Sequence, residues 1–232
     1  MMKRIFSFLL IFSVFFIPFR FSASAEELYG KVYCRNTKQA GKIALTFDDG
    51  PHPRYTQEIL KILEEYHVTA TFFIIGVNAV NYPSDLQKIV DCGCELGNHT
   101  DTHCRIRNLT EEEVRLEIKQ CEDTVYQLCG VRPCVFRPPE GLMNEYLKAI
   151  AKDMGYNVVL WSIDTKDWAL TPPKEILKIV KSQIRGGDIV LMHDYVSGGN
   201  TTCNALRLII PELLRCGYEF VTVSELIQGD HE

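Results

Sequence analysis

From Lys42 to the end of the chain, short apolar runs alternate with amphipathic stretches, and this alternation limits the available folds more than any other feature. Seven runs read as strands, at 42–47, 70–76, 94–98, 134–137, 157–163, 188–193 and 218–223. The intervening segments carry helical signals. Thr110-Glu111-Glu112-Glu113 is a capping box, and Val114, Ile118, Cys121, Val125 and Leu128 then recur at spacings of three and four until Gly130 stops the pattern. Ile59, Ile62, Leu63 and Tyr66 repeat it earlier, and Ile176, Leu177 and Val180 do so after Pro172-Pro173, where proline suits a first helical turn. Pro211 lies in a helical stretch and predicts a kink or a late start. Strand followed by helix, repeated, is the pattern of a parallel sheet clothed by helices, because parallel strands need long crossovers.

The polar residues choose between an open sheet and a barrel. Asp48 and Asp49, His99 and His103, Arg137, Asp164 and Asp167, and His193 fall at or just past the carboxyl ends of five different strands. A barrel gathers such ends on one face, whereas an open sheet collects them chiefly at a switch point. No glycine-rich phosphate loop follows any strand. The reading is therefore an α/β chain, a single-domain distorted (β/α)7 barrel of TIM-barrel type. With 232 residues and 46% hydrophobic side chains, one core of good size can form.

Adjacent carboxylates at a strand end repel each other, and a cation would offset that cost. An Asp-Asp-Gly turn accounts for the same residues equally well. His99 and His103, four apart, can reach one ion from a helical turn or a compact loop, although Thr100 stands where the zinc-protease motif HExxH needs glutamate. Two histidines and one carboxylate complete a three-ligand set with room for water, the composition of a catalytic zinc or related site.

The first 25 residues belong to another class. Lys3 and Arg4 precede an apolar run at 5–19, and Ala23-Ser24-Ala25 follows as a cleavage signal, so 1–25 reads as an export signal. An uncleaved segment would serve as a membrane anchor, and in either case the domain lies outside the cytoplasm. Residues 26–41 then form a lead-in, 42–227 the domain and 228–232 a tail. Losing Lys3, Arg4 and Arg20 with no acid moves the formal charge from -5 to -8. With no Lys/Arg cluster, nucleic acid is excluded as a partner. An exported chain can pair several of its nine cysteines, the odd number leaving at least one unpaired, while Cys121 falls on a helix's apolar face and reads as core.

Five segments taken together carry a resemblance. TFDDGP at 46–51, HTDTH at 99–103, FRPPEG at 136–141, DTKDW at 164–168 and LMHD at 191–194 are similar, in order, to the five motifs of the polysaccharide deacetylase, or NodB homology, family, carbohydrate esterase family 4. The resemblance spans about 42–227. It implies a distorted (β/α) barrel and the removal of N-acetyl groups from an N-acetylated polysaccharide such as peptidoglycan or chitin oligomers. It also implies one divalent metal ion, zinc first, with cobalt or nickel as alternatives.

Carried over by position, Asp49, His99 and His103 resemble the metal ligands and Asp48 the catalytic base. Arg137 resembles the arginine that holds the base. His193 resembles the general acid, with Asp167 orienting it, and imidazole suits that role because it titrates near neutrality. Glu140 resembles the residue whose backbone N–H faces the developing oxyanion, and Trp168 and Leu191 the apolar wall around the acetyl methyl. Glu140 departs from the aromatic residue frequent at its position, which puts the sugar groove in question. His52 reads as a rim residue and His67 as a helix-end residue, while Asp164 and Asp194 carry no assigned role. A glycan-binding pseudoenzyme, or a barrel amidase or esterase for small or O-acetylated substrates, would share much of this sequence.

Overall fold

The computed structural model describes residues 29–196, 199 and 201–228. The export-signal reading at 1–25 and nearly all of the 228–232 tail fall outside these residues. In chain order the strands are β1 (Val32–Tyr33), β2 (Lys42–Gly50), β3 (Thr71–Ile74), β4 (Glu95–Asn98), β5 (Val135–Phe136), β6 (Asn157–Val159), β7 (Ile163–Asp164), β8 (Ile189–His193) and β9 (Glu219–Phe220). The helices are α1 (Tyr55–Glu65), α2 (Gly76–Asn81), α3 (Pro83–Asp91), α4 (Glu111–Cys129), α5 (Glu145–Asp153), α6 (Pro173–Gln183), α7 (Thr201–Arg215) and α8 (Val223–Ile227).

The strands run β1-β6-β5-β4-β3-β2-β8-β7, with β9 pairing the start of β2, and all these pairings are parallel. The sheet curls into a distorted barrel. Its closure is unusual: the single run read at 157–163 splits, so that β6 pairs β5 while β7 pairs β8 across the ring. Leu160, Trp161 and Ser162 cross between them, and the circle is completed by covalent chain instead of a hydrogen-bonded ladder. β1, inside the 26–41 segment, adds a strand on the free side of β6.

Strand alternation sorts the two faces. Leu45 and Phe47 of β2, Phe72 and Ile74 of β3, and Val190 and Met192 of β8 join one apolar layer with Ile59, Leu63, Ile176, Val180, Leu206 and Ile209 of the helices. Ala44, Phe73, Val159 and Ile189 point the other way, into the barrel, where Val223, Leu226 and Ile227 of α8 close the lower end. Above Ala44 on the same face come Thr46 and Asp48, and above Ile189 come Leu191 and His193. The upper interior is thus polar because the strands place their polar residues at inward positions.

The helical signals hold at α4. Thr110 and Glu113 make both bonds of the capping box, and Gly130 ends the helix in the left-handed region. Val114, Ile118, Cys121 and Val125 are buried, but Leu128, the last member of the stripe, is 40% exposed. Cys121 is core, its thiol donating to the Ile74 carbonyl at 3.2 Å. α7 runs from Thr201 through Pro211 to Arg215, so the late start is not taken. All nine cysteines are free thiols.

Candidate metal and catalytic site

Period two would send Asp48 and Asp49 to opposite faces of β2. The pairing of β2 with β3 slips between Asp48 and Gly50, and Asp49 takes a left-handed φ of 73° at that bulge. Aspartate tolerates this conformation better than most residues, and a bulge re-aims a side chain. Both carboxylates consequently turn toward His99: its Nε2 lies 3.7 Å from Asp48 Oδ2 and 3.6 Å from Asp49 Oδ1. Gly50 is needed just beyond, since a Cβ there would sit 2.0 Å from Asp194 Oδ2.

His99 follows β4 directly, and left-handed turns at Thr100 (φ 69°) and His103 (φ 55°) fold the loop back so that both imidazoles face Asp49. This is the compact-loop alternative, not a helical turn. Asn98 accepts from the Thr100 N–H at 2.9 Å and donates to the Ile118 carbonyl at 2.8 Å. Glu117 of α4 accepts from the N–H groups of Asp101 at 3.1 Å and Thr102 at 2.9 Å, and from the Thr102 hydroxyl at 2.9 Å. Neither residue was evident as part of the site from sequence. Glu117 could have been sought as a polar residue on the α4 face that meets the loop.

His99 Nδ1 lies 2.7 Å from the Arg137 carbonyl, which can only accept, so Nδ1 carries the proton and Nε2 presents its lone pair. Burial lowers the His99 pKa, against the opposing pull of Asp48 and Asp49, and keeps the ring neutral and able to ligate. His103 Nε2 is 3.3 Å from Asp49 Oδ1. That oxygen is buried and accepts no hydrogen bond. Tetrahedral bonds of about 2.0–2.1 Å separate ligand atoms by roughly 3.4 Å, so these three residues fit a divalent cation.

Beside them lies the Asp48–Arg137 pair. Arg137, fully buried, donates from Nη1 to Asp48 Oδ1 at 2.6 Å and to the Thr46 hydroxyl at 2.8 Å, from Nε to the Val159 carbonyl at 3.1 Å, and from Nη2 to the Leu160 carbonyl at 3.0 Å. Its guanidinium stacks 4.0 Å from the Phe73 ring centroid. Burial would raise the Asp48 pKa, but the Arg137 charge, with that of His193 and the Arg137 hydrogen bond, holds it below the usual carboxylate value. Asp48 is therefore ionised with Oδ1 engaged and Oδ2 turned to the cavity.

β2 and β8 pair with Asp48 opposite His193. His193 Nδ1 meets Asp167 Oδ1 at 2.9 Å, and Asp167 Oδ2 accepts from the His193 N–H and the Thr202 hydroxyl, both at 2.7 Å. Burial works against protonation of His193, but the Asp167 hydrogen bond and charge, with Asp48 and Asp49, push its pKa up to about 9. The ring is a protonated donor whose Nε2 is not used by Asp167.

Leu191 lies on the inward face of β8 below His193 and is buried, whereas Trp168 is 57% exposed at the rim. Asp164 orients Trp168, accepting from its indole N–H at 3.3 Å and from the Lys166 N–H at 2.8 Å. Glu140 has a left-handed φ of 59°, and its side chain turns to Arg107 and Arg105, at 3.8 Å from the latter. Trp161 packs against the Gly141 position and 5.7 Å from the Arg137 guanidinium, an aromatic wall that the strand reading at 157–163 had assigned to sheet. Asp194 accepts from the Thr56 hydroxyl at 2.6 Å and donates its N–H to the Asp48 carbonyl at 2.8 Å, tying the end of β8 to β2 and to the start of α1. His67 sits at the end of α1 with a φ of 54°.

A curled parallel barrel with a carboxylate–imidazole–imidazole set beside an arginine-held acid and an aspartate-held imidazole is the layout of a hydrolytic enzyme. The sequence family described as Polysaccharide deacetylase matches residues 35–159, and this chain belongs to that family, carbohydrate esterase family 4 with the NodB homology fold. It is 40% identical over 191 residues to a peptidoglycan-N-acetylglucosamine deacetylase of Bacillus cereus, covering 82% of this chain and 89% of that protein. Among solved structures, the Bc1960 peptidoglycan N-acetylglucosamine deacetylase in complex with a naphthalenyl N-hydroxybenzamide superposes with a TM-score of 0.80 at 33% identity, over 88% of this chain and 95% of that one. BA3943 of Bacillus anthracis, a family pseudoenzyme, superposes with a TM-score of 0.81 at 30% identity, over 88% and 71%. The chain is a hydrolase acting on carbon–nitrogen bonds other than peptide bonds.

Proposed function

We propose that this chain is an exported N-deacetylase that hydrolyses the acetamide of N-acetylglucosamine units in peptidoglycan with the help of one divalent cation, zinc first. The observation that carries the reading is the register of β2 on β8, which sets an arginine-held, ionised Asp48 opposite an aspartate-held, protonated His193 beside the three-ligand set. Export is supported by the apolar run at 5–19 and by relatives named for a cell-wall substrate.

Asp49, His99 and His103 would hold the cation, which when bound polarises the acetamide carbonyl and lets water act as nucleophile near neutral pH. Asp48 Oδ2 takes the proton from the attacking water, and Arg137 fixes the carboxylate so that one oxygen faces the cavity. The backbone N–H of Glu140 faces the oxygen on which negative charge grows. His193 gives its proton to the departing nitrogen as the carbon–nitrogen bond breaks, leaving acetate and a free amine on the sugar. Asp167 keeps the imidazole in the required tautomer and protonated until then. Leu191, Trp161 and Trp168 supply the apolar surface near the acetyl group.

Release of acetate and free amine from peptidoglycan and from N-acetylglucosamine oligomers tests this, before and after chelation and with zinc, cobalt or nickel restored. The expected result is activity lost to the chelator and regained with a divalent ion. No release from any N-acetylated glycan with the ion present overturns it.

A further inference from the structure

Beyond the reacting groups, three aromatic rings form a locked cluster on the same rim. Asp48 and His193 are direct neighbours across β2 and β8, so the segments leaving those strands run out together and bring His52 against Tyr195. The His52 and Tyr195 rings lie 4.7 Å apart and nearly parallel at 10°, His52 and Tyr55 lie 4.9 Å apart at 28°, and Tyr55 and Tyr195 are 6.0 Å apart. The rings form a triangle in which His52 touches both tyrosines. His52 is itself pinned, since its Nδ1 accepts from the backbone N–H groups of Arg54 and Tyr55, both at 3.2 Å, and its own N–H donates to the Thr56 hydroxyl at 2.7 Å. Thr56 in turn is bonded to Asp194. Tyr195, so supported, remains 44% exposed.

A scattered surface tyrosine needs no explanation, but this one is held against two rings and lies two residues beyond His193 along the chain, while His52 lies three beyond Asp49. None of the three rings has a part in the hydrolysis. We infer that Tyr195, supported by His52 and Tyr55, is an outlying subsite that takes the apolar face of a pyranose ring in the glycan, beyond the sugar being deacetylated. The C–H edges of such a ring meet the electron-rich face of a tyrosine favourably, and a ring already fixed loses little freedom on binding. The inference rests on the deacetylase reading for its ligand.

Steady-state kinetics on the dimer and pentamer of N-acetylglucosamine test it with the full chain. Tyr195→Ala and Tyr195→Leu are expected to raise KM for the pentamer about five- to tenfold, leaving kcat and the dimer KM within about twofold, while Tyr195→Phe matches wild type. An unchanged pentamer KM, an equal rise on both substrates, or a Phe variant as impaired as Ala overturns the subsite. If the wild type releases acetate from neither oligomer nor from peptidoglycan, the deacetylase reading fails by itself. Calorimetric titration with the pentamer then decides the subsite, which requires the same fold weakening in Tyr195→Ala and is overturned by an unchanged Kd.

Discussion

Asp48 and Asp49 show how far one dihedral angle can separate adjacent residues of the same type. Because the bulge turns Asp49 into the cavity without an acceptor role elsewhere, whereas Asp48 is engaged by Arg137, the two substitutions should fail differently. Asp48→Asn is expected to retain the bound cation and lose about 10²–10⁴ in kcat, while Asp49→Asn loses the cation, as kinetics paired with elemental analysis would read. His193 offers a pH test. Its folded pKa, pushed up to about 9, lies above the ordinary 6.5. Its contribution to stability is therefore complete below pH 6.5 and lost as the pH rises through about 9. Denaturant midpoints of the chelated protein should fall across that window, and Asp167→Asn should flatten the fall; a midpoint with equal slope in both proteins contradicts the assignment.

At the scale of elements, α4 does two things, and they can be separated. Its capping box sets where the helix starts, and its Glu117 holds the loop that carries both histidines. Thr110→Ala should cost about 1 kcal/mol in thermal or denaturant unfolding with the metal affinity kept. Glu117→Ala is expected to weaken cation binding about 10-fold or more, measured by competition with a chelating dye, because the loop loses three of its hydrogen bonds. The strands and α4 were legible because alternation and capping are local. The short helices α2, α3 and α5 were not resolved individually, since six to nine residues give too few turns for periodicity to speak. The division of 157–163 into two strands was equally hidden, because an apolar run reads the same whether or not the chain changes neighbours within it. In the site, the proposed ligands and acid–base residues were readable only as a set of motifs. Glu117, Asn98 and Trp161 escaped because their roles depend on contacts between distant segments.

For the whole molecule, the polar upper interior and the apolar lower one give the barrel one working end, with α8 closing the other. Arg137 links this end to stability. Replacing it with Met would strand the buried Asp48 charge and should cost about 3–5 kcal/mol in denaturant unfolding, besides abolishing turnover. The seam makes that result more than a local injury. Val159 and Leu160, whose carbonyls Arg137 holds, begin the stretch of chain that crosses from β6 to β7. A single guanidinium thus rivets the crossing and aims the Asp48 carboxylate, the proposed base, in one act. Any fluctuation that parts the barrel there disarms the proposed acid–base pair at the same moment, so protease nicking at 160–162 and loss of activity should advance together on heating.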